Sequence, residues 1–204
     1  MNRNTLGLIV AGLITGAAMA MFIARPAQPP TSGSTTVVTG RALVGGPFTL
    51  TDQTGRSVTD KDFLGRNMLL FFGFTNCPDI CPTGLQVLTA ALDKLGPAGN
   101  DITPIFVSFD SARDTPQLLA TYLKSFHPRL VGLTGSEEQI KAITKAYRVY
   151  YQKVADDKNP THYTYDHSAI FYLMAKDGAL LAPIAHTTDA DKLAEQIARA
   201  LPQR

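Results

Sequence analysis

Two hydrophobic patterns organise the chain: short continuous apolar runs, and longer stretches in which apolar residues recur at helical spacing. Met68-Leu69-Leu70-Phe71-Phe72 and Ile102 to Phe109 (ITPIFVSF) are continuous runs of strand length, which suits strands buried on both faces of a sheet. Helical spacing predicts helices over Pro82 to Leu95, from Thr115 to about Phe126, over Ser136 to Arg148 and over Asp189 to Leu201. Thr115 followed by Pro116 is a helix start, and Ser136-x-x-Gln139 has the form of a capping box. Phe48 to Asp52 and Arg56 to Val58 flank the turn Asp52-Gln53-Thr54-Gly55 and predict an opening hairpin. Leu130 to Leu133 reads as a short strand and Val149 to Val154 as an extended piece. Asp156 to Asp166 reads as a long, polar and aromatic surface loop that delivers His167. Ser168 to Met174 and Leu180 to Ile184 form a second hairpin around Lys176-Asp177-Gly178.

Strands that alternate with helices, closed by a hairpin and a helix, predict an α/β domain of three layers and thioredoxin-like type, with a parallel pair at its centre and an antiparallel edge. Ahead of it, Leu6 to Ile23 is an uncharged run of 18 residues between Arg3 and Arg25, long enough to cross a bilayer. Ala18-Met19-Ala20 also resembles the cleavage site of a signal peptide, but the length of the run favours a retained single transmembrane helix. The expected organisation is an N-terminal membrane anchor over residues 1–24, a flexible tether rich in Pro, Ser, Thr and Gly over 25–42, and the folded domain over 43–204. With Arg3 kept in the cytoplasm, the domain lies outside.

Composition narrows the function. With 45% hydrophobic and 18% charged residues, the 204-residue chain can bury one core of ordinary size. A formal net charge of +2, with no basic cluster, excludes nucleic acid as the expected partner. The two cysteines, Cys77 and Cys81, are too few for a disulfide scaffold, and their closeness points to redox or metal chemistry. They follow the first buried strand and precede a helix, where unpaired backbone N–H groups favour a thiolate. One helical turn would put their Cα atoms about 6 Å apart, within reach of a disulfide. A structural disulfide or a buried thiol pair is the plain alternative, for which a proline-flanked helix start is a poor place.

In thioredoxin-like domains the loop entering the third core strand lies beside the cysteine turn and commonly carries a proline. Here Tyr165-Asp166-His167-Ser168 takes that place, with no proline between Thr161 and Ile170, so an imidazole is offered to the two sulfurs. Two thiolates and one imidazole suit Cu(I), and Cu(II) when the ligand set is completed; zinc would want a fourth ligand. A lone histidine before a strand is more often a hydrogen-bonded surface residue, and His127, His162 and His186 take that plain reading. Asp79 would favour a helix N-terminus, Asp110 and Asp114 would cap the next helix, and Tyr147, Tyr150 and Tyr151 would pack.

The segments GFTNCPDICPTGL, VSFDSARDTP, GLTGS and YDHSAIFYLMAKDG, in this order after one apolar anchor, resemble the SCO/SenC family of copper proteins over roughly Val44 to Leu201. The resemblance implies a thioredoxin-like fold, copper ligation by Cys77, Cys81 and His167, and a role in assembling the copper A centre of cytochrome c oxidase. It matches Asp110 to a family position near the site without assigning it a role. The implied partners are the copper-containing oxidase subunit and other periplasmic copper chaperones. The implied place is the bacterial inner membrane, single-pass, with the domain in the periplasm. The competing function is a thiol-disulfide reductase that keeps the cysteines of that subunit reduced through Cys77 and Cys81, Cys77 attacking. Peroxidase activity is disfavoured, because Phe71 to Cys77 lacks the proline and threonine arrangement expected before a peroxide-reducing cysteine.

Overall fold

The structure is a computed structural model that describes residues 44–156 and 159–202. They belong to a compact unit, Ala42–Arg204; the expected anchor and tether lie outside the described residues. Among the described residues no helix is long and apolar enough to cross a membrane.

A seven-stranded sheet forms the middle layer. Its strands are β1 (Thr49–Asp52), β2 (Ser57–Thr59), β3 (Asn67–Gly73), β4 (Ile102–Ser108), β5 (Val131–Thr134), β8 (Ile170–Met174) and β9 (Leu180–Ala185), while β6 (Tyr151–Asp156) and β7 (Asn159–His167) pair separately. The order is β2-β1-β5-β4-β3-β8-β9. Strands β3, β4 and β5 are parallel, and both flanks are antiparallel, so the expected central pair is a trio. All seven residues of β3 are buried, as its unbroken apolar run requires of a strand covered on both faces.

Four longer helices complete the layers, α1 (Ile80–Lys94), α2 (Pro116–Leu123), α3 (Glu137–Ala146) and α4 (Ala190–Ala200), with single helical turns at Asp60–Phe63 and Pro97–Asn100. On one face α1 packs against α4, and the His127 N–H donates to Thr89 Oγ1 (3.1 Å), tying the end of the α2 region to α1. On the other face α3 lies over β1, and Tyr147, just beyond it, packs on Phe72 with ring centroids 5.5 Å apart. Alternation along β3 thus sends Phe71 towards α1, where it meets Gly84, and Phe72 towards Tyr147. Burying each such ring contributes roughly 1.5–3 kcal/mol.

Helix α1 begins at Ile80, not at Pro82. The first three N–H groups of a helix have no intrahelical partner, so a proline third in line costs no hydrogen bond, and the first bond runs from Thr83 N to Asp79 O (3.1 Å). Gly96, at φ 54°, stops the chain beyond it. Helix α2 ends at Leu123, before the expected Phe126, and α3 ends at Ala146, where Arg148 turns left-handed at φ 55°. The capping box stands: Ser136 N donates to Gln139 Oε1 (2.8 Å), and Gln139 N to Ser136 Oγ (3.3 Å).

The expected loop over Asp156 to Asp166 is a correction. Most of it is strand β7, paired antiparallel with β6 from Tyr151↔His167 to Asp156↔Asn159. Tyr163-Thr164-Tyr165 alternates aromatic with β-branched residues, a strand pattern that a reading of tyrosine and threonine as merely polar conceals. Strand β8 accordingly starts at Ile170, two residues later than expected.

Candidate metal centre

The end of β3 turns through Phe74-Thr75-Asn76 into Cys77, whose N–H donates to Phe74 O (3.3 Å). Cys77 is half-buried at the mouth of a groove, whereas Cys81, in the first turn of α1, is fully buried. Both are free thiols, and the Cys81 N–H donates to Cys77 Sγ (3.4 Å). His167, the last residue of β7, brings Nε2 to 4.0 Å from Cys81 Sγ. One ligand atom from each of Cys77, Cys81 and His167 lies within 4.8 Å of the others, and this trio is the one His/Cys/Asp/Glu cluster of metal-binding spacing among the described residues. The groove beside it, about 340 Å³, is lined by Phe74, Pro78, Ile80, Tyr165 and Ala169 together with Cys77 and His167.

The three groups polarise one another. The hydrogen bond from the Cys81 thiol, helped by His167 and by backbone N–H groups, outweighs burial and holds the Cys77 thiol at about 4. The same hydrogen bond, then burial and the Cys77 charge, push Cys81 far up. Burial works against a charged His167, but the Cys77 thiolate and the Ser168 carbonyl outweigh it and raise the imidazole above its ordinary value. When neutral, the ring donates from Nδ1 to Ser168 O (3.1 Å), which leaves the Nε2 lone pair for the sulfurs' side. Two sulfurs and one directed imidazole nitrogen fit a soft metal ion, and taking one up would release protons.

What holds the two halves of the site together was not legible as such in the sequence. Asp110 and Asp114, expected as helix caps, do not cap α2; Thr115 does, accepting from Leu118 N (3.2 Å). Asp114 is buried and accepts from Thr75 N (2.8 Å), Thr75 Oγ1 (2.6 Å) and Ser108 Oγ (2.5 Å), so it pins the turn that carries Cys77. Asp110, also buried, pairs with Arg113 and accepts from Tyr163 OH (2.9 Å), while Arg113 Nη1 donates to Tyr163 O (3.0 Å) and its guanidinium lies 3.7 Å from the centroid of that tyrosine's ring. The loop after β4 therefore grips the Cys77 turn with one carboxylate and β7 with the other. Aromatic rings fill the space between: Phe74 and Phe109 meet His167 at 6.0 and 5.2 Å and Tyr165 at 5.3 and 5.1 Å. The i,i+3 spacing of Asp110 and Arg113 was the available signal, but their target, 50 residues on, was not.

The other histidines lie apart from the cluster. His127 is buried and accepts at Nδ1 from Arg129 N (3.1 Å), and His186 stacks on Phe171 at 6.1 Å. His162 lies on the exposed part of β7. Asp79 occupies the N-cap position of α1 without a side-chain cap bond. Tyr147 is core, whereas Tyr150 is half exposed.

A thioredoxin-like domain whose cysteine turn faces a histidine from an added hairpin defines a class of thiol-and-imidazole proteins. Residues 37–202 match SCO1/SenC, and the chain belongs to that family. It is 42% identical over 165 residues to Protein SCO1 homolog 1, mitochondrial, of Arabidopsis thaliana, covering 80% of this chain and 49% of that protein, so it spans about half the length of this relative. The crystal structure of Arabidopsis thaliana ScoI with copper bound superposes with a TM-score of 0.72 at 42% identity, over 77% of this chain and 97% of that one. BsSco, described with a disulfide switch as a member of the Sco family of cytochrome c oxidase assembly proteins, superposes with a TM-score of 0.58 at 26% identity, over 76% and 91% of the two chains.

Proposed function

We propose that this chain is a membrane-tethered copper metallochaperone that binds copper through Cys77, Cys81 and His167 and helps assemble the copper A centre of cytochrome c oxidase. The observation that carries the reading is the convergence of two thiols and a directed imidazole nitrogen within 4.8 Å, beside a groove open to a partner. The copper-bound relative and the oxidase-assembly description of BsSco support it. Copper is cargo here: Cys77 and Cys81 supply soft donors, and His167 the third. The recipient is the copper-containing subunit of the oxidase, and the donor a periplasmic copper chaperone. Residues 1–24 anchor the chain in the bacterial inner membrane, 25–42 tether it, and 43–204 face the periplasm; the uncharged Leu6–Ile23 run supports this arrangement. Cell fractionation tests it, and a soluble protein beginning near Met21 or later would reveal a cleaved signal peptide.

A specific asymmetry favours a second reading, thiol-disulfide reduction. Cys77 is reachable and held as a thiolate, whereas Cys81 is buried. Cys77 would attack a partner disulfide and expel one thiolate; Cys81, on losing its proton, would attack the Cys77 sulfur, close the Cys77–Cys81 disulfide and release the partner as a dithiol. Copper stoichiometry of the reduced chain, with transfer to an oxidase subunit, tests the first reading. One Cu(I) per chain that moves to the subunit is the expected result; failure to bind, with partner disulfides still reduced, would put the second reading first.

A further inference from the structure

The Cys81 sulfur is fully buried because a glycine ends the strand beside it. Gly73 is the last residue of β3; it pairs with Ser108 of β4, and its carbonyl accepts from Phe109 N (3.0 Å), so its backbone is fixed on both sides. A Cβ at this position would lie 2.5 Å from Cys81 Sγ and 2.9 Å from Phe106 Cε2. Real carbon atoms do not approach so closely, so the missing side chain is a slot, and the sulfur occupies it. The Phe106 wall cannot retreat, because that ring is fully buried between Phe71 (6.5 Å) and Tyr122 (6.0 Å). The sulfur's open direction leads to Cys77 and His167.

We infer that Gly73 is a positioning residue that seats the Cys81 sulfur away from Cys77, so that the pair rests as an open dithiol able to take a metal ion instead of closing on itself. A disulfide needs the sulfurs about 2.05 Å apart. Withdrawing one of them into a slot opposes that approach, and filling the slot promotes it. The metal half of the inference rests on the copper reading above; the thiol half does not.

The test is Gly73→Ala in the full-length chain, equilibrated anaerobically with mixtures of glutathione and glutathione disulfide and quenched by alkylation. Two protein thiols and one glutathione disulfide give the Cys77–Cys81 disulfide and two glutathiones. The expected result is a shift of at least tenfold towards the disulfide, equivalent to about 30 mV for this two-electron couple. Cu(I) retention against a chelator should fall at the same time. An unchanged ratio, or a shift towards the dithiol, overturns the proposal.

A double-mutant cycle on thermal stability separates the slot from general damage. In a Cys81→Ala background the closest clash, that with the sulfur, is gone and only the contact with Phe106 remains, so Gly73→Ala should destabilise less there than in the parent. If Gly73→Ala alone does not fold, a folded Gly73→Ala/Cys81→Ala chain supports the proposal, and failure of both, or equal costs in the two backgrounds, overturns it. If the parent binds no Cu(I), the copper reading fails, while the thiol ratio still decides the role of the slot.

Discussion

The cysteine turn and the β6–β7 hairpin build one site by opposite means. The turn grows out of the interior strand β3, every residue of which is buried, and its sulfurs are placed by close packing around Gly73, Phe74 and Phe106. The hairpin belongs to no part of the main sheet, and its outward strand, from Gln152 to Ala155, is exposed. It is held by side chains: the buried Asp110, its partner Arg113, and the edge-on contacts of Tyr165 with Phe74 and Phe109. Half of the centre is therefore fixed by the core. The other half is held by side-chain contacts alone, without a ladder to the main sheet.

If that contrast is right, substitutions should rank by which half they touch. Cys77→Ser and Cys81→Ser should each abolish both Cu(I) retention and partner disulfide reduction, since both chemistries need two sulfurs; chelator competition and a thiol-exchange assay check this. His167→Ala should weaken copper binding by at least about 100-fold, above the roughly 10- to 100-fold typical of lost outer partners, and leave disulfide exchange working. Thiolate-to-Cu(II) charge-transfer absorption should vanish or shift, and alanine variants of His127 and His186 should match the parent. Parental copper affinity in His167→Ala, with exchange lost instead, would sink the metal reading.

Asp110→Asn and Arg113→Leu should lower copper affinity by about tenfold and lower the melting temperature as well, because they unhook β7 and each leaves the other member of a buried pair without its partner. Hydrogen exchange should rise along Tyr163 to His167 and not along β3; equal rises in both would break the contrast. The smallest effect on copper should come from Asp52→Asn in the opening hairpin. There, hydrogen bonds from Thr54 and Arg56 outweigh burial and hold the Asp52 carboxyl at about 2 against an ordinary 3.8. Its folded value is depressed, so the stabilisation, about 2 kcal/mol, is complete above pH 4 and disappears as pH falls through about 2. Denaturant midpoints should thus separate parent from Asp52→Asn at pH 7 and converge near pH 2, with copper affinity unchanged at neutral pH.

Legibility in the sequence follows the same divide. Continuous apolar runs, Pro–Cys spacing and caps such as Ser136 and Thr115 are local signals, and the strands and helices they predict are present with shifted ends. Cys77, Cys81 and His167 stood out because their chemistry is rare, and the fold brings them together. The hairpin did not stand out: Tyr163-Thr164-Tyr165 reads as polar when residues are sorted only into apolar and polar. Nor did the work of Asp110 and Asp114, because a carboxylate's partner 39 or 53 residues away leaves no local trace. Gly73 is legible only once a sulfur is seen where its Cβ would be.

The 86 residues that separate Cys81 from His167 set a clock. Chains are made amino end first at about 5–20 residues per second, so the cysteines precede the imidazole by roughly 4 to 17 s. During that interval the pair is a bare dithiol, without its third donor and without the packed slot that keeps the sulfurs apart. A chain at that stage could close the pair into a disulfide if it met an oxidant. On the copper reading proposed above, an ion held by all three groups could be loaded only after β7 has paired with β6.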